Sequence, residues 1–153
     1  MVQIVRIDEK TYVAGQVWPE DMPELARQGI RLIVNNRPDG EAGDGQPRAA
    51  ELEAAAREHG VAFANLPFAT PALTPDYAAQ FAQILKAEQG PVLAFCRTGN
   101  RSSMLWAAAN IALGQSLDAV LEKTGEAGYD LSPAASFIHD LGQMAAAKTA
   151  QKP

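Results

Sequence analysis

The residues best equipped for chemistry lie together in Cys96-Arg97-Thr98-Gly99-Asn100-Arg101-Ser102. Cys96 is the only cysteine of the chain, so its thiol has no intrachain disulfide partner and can act as a nucleophile. It follows the apolar run Pro91-Val92-Leu93-Ala94-Phe95, which reads as a buried strand, and it precedes a helix expected from Met104 to Leu113, closed by Gly114. A polar turn between a strand end and a helix N-terminus directs backbone N–H groups inward and forms an anion cradle. Amides and cationic side chains in such a place stabilise negative charge on sulfur. Arg97 and Arg101, with the backbone of Thr98, Gly99 and Asn100, are therefore expected to hold an anion over Cys96. Ser102 is expected to donate a hydrogen bond to the sulfur. The alternative reading of Cys96, a buried structural thiol, does not account for so polar a surrounding loop.

Other elements must carry this turn. Ile4 to Val17 reads as a hairpin or bent edge strand, and Pro19 to Gln28 as a short helix closed by Gly29. Ile30 to Asn35 is a strand rich in β-branched residues, and Asn36 to Gln46 a polar loop. Pro47 starts a helix that ends at Gly60, and Val61 to Leu66 is a further strand. Thr74-Pro75 opens a helix whose Tyr77, Phe81, Ile84 and Leu85 recur at helical spacing as a core stripe. Ser116 caps a helix over Leu117 to Glu126, and Ser132-Pro133 opens the last one. Strands alternating with helices predict an α/β fold with a central, mostly parallel sheet of four to five strands flanked by helices. In such sheets, sites form beyond the carboxyl ends of the strands. The Cys96 turn, the Arg37-Pro38-Asp39-Gly40-Glu41 loop and the Pro67 to Pro71 loop are expected to converge there. Arg37 and Asp39 face a substrate on one reading and form a plain Pro-Asp-Gly turn on the other.

Composition bounds the function. A chain of 153 residues predicts one domain, over 1–145, with 146–153 as a frayed tail. A net charge of −5 argues against a nucleic-acid partner. The lone thiol, the short charged N-terminus and the lack of a long apolar run predict a cytoplasmic protein without membrane contact. His59 and His139 are far apart and lack metal-ligand spacing, so no metal is expected. Gly40, Gly43 and Gly45 lack the Lys-Ser/Thr ending of a nucleotide phosphate loop, so no cofactor is expected.

The turn resembles two groups of enzymes. Protein-tyrosine and dual-specificity phosphatases place five residues between Cys and Arg, and Ser or Thr follows the arginine. Rhodanese-type sulfurtransferases have a shorter loop, matched here by the four residues between Cys96 and Arg101. Over roughly Ile4 to Leu141 the chain is similar to the bacterial beta-lactamase-hydrolase-like, phosphatase-like domain family. The likeness rests on Gly15-Gln16, Asn36 to Glu41, Gln46-Pro47, Pro91, Cys96 to Ser103 and Ala127 to Asp130. It implies a compact dual-specificity-phosphatase-like fold with either phosphatase or sulfur-transfer chemistry.

Two arguments favour sulfur. A ring of N–H donors one residue shorter leaves less room for a phosphoryl group than for a sulfane sulfur. A phosphatase also needs an acid for its leaving group, and Leu66 to Ala72 holds no carboxylate. Asp39, Glu41 and Asp76 are the substitutes on offer, and Asp76 reads better as a charge at a helix N-terminus. The expected function is a sulfurtransferase that forms a Cys96 persulfide from a small anionic donor such as a persulfide or thiosulfate. A low-molecular-weight thiol would accept the sulfur, and a persulfide-oxidising enzyme is the partner the resemblance suggests. The alternatives are a cysteine-dependent phosphatase with a phosphocysteine intermediate, and a non-catalytic sulfide- or redox-sensing module.

Overall fold

The computed structural model describes residues 1–150, and it divides into two compact units. The first holds Met1–Ala69 and Gly90–Ser102; the second holds Thr70–Gln89 and the chain from Ser103 onward. The fold is α/β, built on a mostly parallel five-stranded sheet.

The first unit contains the whole sheet. Its strands are β1 (Ile4–Arg6), β2 (Thr11–Ala14), β3 (Leu32–Asn35), β4 (Ala62–Asn65) and β5 (Val92–Phe95), in the order β1-β2-β5-β3-β4. β1 and β2 form an antiparallel hairpin, and every other pair is parallel. The Asp8 carboxylate accepts from the N–H groups of Lys10 and Thr11, at 2.9 and 2.7 Å, and fixes the tight hairpin turn. All four residues of β3 and of β5 are buried. This is why Leu32-Ile33-Val34 and the whole of β5 read as apolar runs rather than alternating ones. Two helices belong to this unit, α1 (Met22–Arg27) and α2 (Ala49–Glu58). Met22, Leu25, Leu52 and Ala56 pack with Ile33, Leu93 and Phe95 in one apolar cluster. A fully buried Leu or Phe of this kind contributes about 1.5–3 kcal/mol.

The register sets the functional edge. Ala14 and Asn35 both pair with Phe95, and Asn65 pairs with Asn35. Four parallel strands therefore end level, and Gly15, Cys96, Asn36 and Leu66 leave the sheet side by side.

The second unit is helical. It holds α3 (Pro75–Ala87), α5 (Leu117–Glu126), α6 (Ala135–Ala150) and most of α4 (Asn100–Ala112). α3 packs on α6, and Lys148 of α6 pairs with Asp76 of α3 at 2.8 Å. Asp76 is thus a helix-end charge in an exposed ion pair. Ser116 caps α5, accepting from the Ala119 N–H at 3.1 Å. Phe81, Leu85 and Trp106 are buried, as core residues should be. No helix among the described residues is long and apolar enough to cross a membrane.

Several boundaries differ from the sequence reading. α2 begins at Ala49, because Pro47 and Arg48 stay extended on entry. α4 begins at Asn100 rather than Met104, so Arg101 and Ser102 lie in its first turn. Their polarity hid the helix from an apolar-period reading, since a first turn near charged or anionic groups is polar. The tail expected to fray from 146 continues α6 through Ala150, and residues 151–153 lie outside the described part.

Candidate active site

Cys96 is held by backbone on three sides. Its N–H donates to the Ala14 carbonyl at 3.3 Å, and the Asn36 N–H donates to the Phe95 carbonyl at 2.8 Å. The turn is thus tied to β2 and β3 before it bends away. Gly15 lets it pass closely: a Cβ there would stand 2.9 Å from the Arg97 carbonyl oxygen. Gly99 has φ +96°, a left-handed conformation that favours glycine, and its N–H donates to the Cys96 sulfur at 3.1 Å. Cys96 is 1 % exposed and lies just before the N-terminus of α4, where helix polarity favours negative charge. The Asn100 N–H bonds Thr98 Oγ1 at 3.4 Å within the turn.

Arg101 is the best-anchored cation of the site. Its Nη1 donates to Glu41 Oε2 at 2.8 Å and to the Phe68 carbonyl at 3.1 Å, and its Nη2 donates to Glu41 Oε1 at 2.7 Å. The Glu41 contact raises its pKa further above the usual arginine value, burial opposes this, and the neighbouring Cys96 sulfur raises it again. Glu41 is held below the ordinary carboxylate value, chiefly by the Arg101 hydrogen bond; burial opposes this, and Arg37 also lowers it. Arg37 Nε reaches Glu41 Oε1 at 2.9 Å, and Arg37 Nη1 reaches Gln16 Oε1 at 2.8 Å.

Beneath these charges lies a buried amide network. Ser102 Oγ donates to Asn36 Oδ1 at 2.7 Å, and Asn36 Nδ2 donates to the Leu66 carbonyl at 3.0 Å. Asn35 bonds the Arg37 backbone in both directions and Asn65 Oδ1 at 2.8 Å. Each strand-end asparagine replaces the ladder bonds that its neighbours lose as the strands diverge.

The structure therefore brings Cys96, Arg101, Ser102, Gly99 and Arg37 together, with Thr98 and Asn100 in the turn. It corrects one role. Ser102 donates to Asn36, not to the Cys96 sulfur, because the first turn of α4 directs its hydroxyl at the end of β3. The Asp39 carboxylate accepts from the Ala49 N–H at 2.8 Å at the N-terminus of α2, and Asp39 lies in the turn before it. Arg97 is exposed. Of the three loops expected at the site, the β3–α2 loop and Phe68 reach Arg101. Sequence reasoning undervalued Glu41 and gave no role to Gln16, Asn35 and Asn36. Clustering of Gly15-Gln16 and Asn36 to Glu41 in the family likeness was the available signal. Among the described residues, no group of three or more His, Cys, Asp or Glu is placed to hold a metal ion.

Comparison with known proteins agrees with this geometry. The family model for the phosphatase-like domain of beta-lactamase hydrolase-like proteins matches residues 4–117. The chain is 33% identical over 143 residues to the beta-lactamase hydrolase-like protein of Agrobacterium fabrum, and 33% identical over 138 residues to that of Xylella fastidiosa. Each alignment covers 90% of this chain and 32% of the relative, so the chain spans about a third of their length. A putative phosphatase from Neisseria meningitidis superposes with a TM-score of 0.79 at 30% identity, covering 90% of this chain and 97% of that one. Tk-PTP superposes with a TM-score of 0.74 at 18% identity, covering 92% and 96%, a likeness of fold alone. The chain belongs to the family of phosphatase-like domains found in beta-lactamase hydrolase-like proteins.

Proposed function

We propose that this domain is a cysteine-dependent phosphatase that works through a phosphocysteine on Cys96. The observation that carries the reading is the thiol itself, set at the N-terminus of α4 with the Gly99 N–H on its sulfur and Arg101 beside it. Family membership and the Neisseria structural relative support the same chemistry. In the first step the Cys96 sulfur attacks phosphorus; an S–P bond forms and the P–O bond to the leaving group breaks. In the second, water attacks phosphorus, inorganic phosphate leaves and the thiolate returns. Turn amides and Arg101 stabilise the charge that gathers on the equatorial oxygens.

The carboxylates of the site bear on the substrate. Glu41 is held ionised by two arginines, and Asp39 is engaged at the end of α2, so neither is placed to protonate an alkoxide. The substrate class this supports is an aryl phosphate, or another ester whose leaving group departs without a proton. Hydrolysis of p-nitrophenyl phosphate, lost by at least about 1,000-fold in Cys96→Ser, tests the reading. Alkyl phosphates should be turned over far more slowly. Equal rates for aryl and alkyl esters would require an acid that the site does not offer.

A second reading, sulfur transfer through a Cys96 persulfide, is favoured by one observation: the same shortage of an acid matters little when a thiol or sulfite leaves. The short turn fits it too. Intact-mass measurement after incubation with thiosulfate or glutathione persulfide, then with glutathione, separates the readings. One sulfur gained on Cys96 and passed on, without turnover of any phosphate ester, would replace the first reading by the second.

A further inference from the structure

Arg101 has five N–H donors on a planar fork. Glu41 takes one proton from each of Nη1 and Nη2, at 2.8 and 2.7 Å, and the Phe68 carbonyl takes a second from Nη1 at 3.1 Å. The end-on edge of the guanidinium is therefore spent on protein. The side edge, Nε–H with the second Nη2 proton, remains on the side of the Cys96 sulfur, which Arg101 also hydrogen-bonds, and presents two parallel donors to an anion held over the thiol. Glu41 is itself held: Arg37 Nε donates to the same Oε1 at 2.9 Å, and Gln16 fixes the other end of Arg37 at 2.8 Å. The two arginine side chains are 8 % and 12 % exposed, so neither has room to swing, whereas Glu41 is 31 % exposed. A carboxylate that open stays in one geometry because two largely buried cations share it.

We propose that Arg37 and Glu41 act as one positioning unit, which locks Arg101 by its end-on edge and leaves its side edge as the anion fork of the Cys96 site. Arg37 acts only through Glu41. The inference rests on Arg101 as the anion-holding group of the proposed function, and holds whether phosphorus or sulfur is attacked.

Alkylation of Cys96 in the full chain tests it without turnover. Iodoacetate and iodoacetamide are similar in size, and both transfer carbon to the sulfur with loss of iodide, but only iodoacetate carries a carboxylate for the fork. With one cysteine present, intact mass reads Cys96 alone, and the ratio of the two rates cancels access to the buried thiol. Glu41→Gln should lower the iodoacetate-to-iodoacetamide ratio by about tenfold, the worth of one charge-assisted hydrogen bond. The sign is diagnostic, because removing a negative charge would by itself raise that ratio. Arg37→Met should lower it by about threefold, and the double variant should match Glu41→Gln. A ratio that rises or stays unchanged in Glu41→Gln overturns the proposal, as does a double variant well below both singles. If Glu41→Gln does not fold, Arg37→Met decides alone: a fall supports the unit and no change refutes it. Should the protein hydrolyse no phosphate ester, the ratio still reports on Arg101, so the two failures are distinguishable.

Discussion

Two loops leave neighbouring parallel strands, β5 and β3, at one level of the sheet. The turn after β5 runs only from Cys96 to Gly99 before α4 begins, and it is organised by backbone: the Cys96 N–H on Ala14, the Gly99 N–H on the sulfur, and the close pass of Gly15. The loop after β3 runs from Asn36 to Arg48 before α2, and it is organised by side chains. In it Asp39 accepts from the first N–H of α2, Gln46 bonds the Ala42 N–H and the Pro38 carbonyl, and Glu41 joins Arg37 to Arg101. On the proposed reading the short turn supplies the reacting atom, and the long loop supplies the charges that orient its arginine. A backbone cradle tolerates side-chain change where a side-chain scaffold does not, so substitutions should divide the two regions.

The sharpest break falls where the regions meet. Arg101→Lys keeps the charge but loses the fork that both Glu41 and an anion need, so kcat/KM for an aryl phosphate should drop about 100- to 1,000-fold. A drop under about fivefold would mean that only charge matters there. Gly15→Ala attacks the backbone cradle alone. A methyl group 2.9 Å from the Arg97 carbonyl must push the turn, and the expected cost is about 1–3 kcal/mol in stability with a roughly tenfold fall in kcat. Thermal melting and steady-state rates would measure both.

Ser102→Ala separates the two possible roles of that hydroxyl. It leaves the buried Asn36 Oδ1 without its donor, so stability should fall by about 1–3 kcal/mol while kcat changes less than about fivefold. A large kcat loss with little destabilisation would instead place the hydroxyl on the sulfur. The smallest effect belongs to Glu41 and pH. Its carboxyl is held below the ordinary glutamate value in the folded state, so its stabilising contribution is present above that value and lost as pH falls through the folded one. The stability difference between the protein and Glu41→Gln should accordingly be full at neutral pH and shrink below about pH 4.5, as urea titrations across that range would record.

Local chemistry made much of this protein legible in its sequence. The apolar runs of β3 and β5, the Ser116 cap and the glycine stops depend on residues within a turn or two of one another. So does the setting of Cys96 between a strand and a helix, which marked the candidate nucleophile and its arginine. The roles of Glu41, Ser102 and Asn36 depend instead on partners 60 and 66 residues away. No local pattern ranks Glu41 above Asp39, two residues earlier in the same loop, and Asp39 had the stronger turn signal. Which carboxylate met Arg101, and which oxygen met Ser102, was decided only when the pairing of Asn35 with Phe95 brought the ends of β3 and β5 level. Spacing along a chain reports periodicity and capping; strand register alone reports which ends become neighbours.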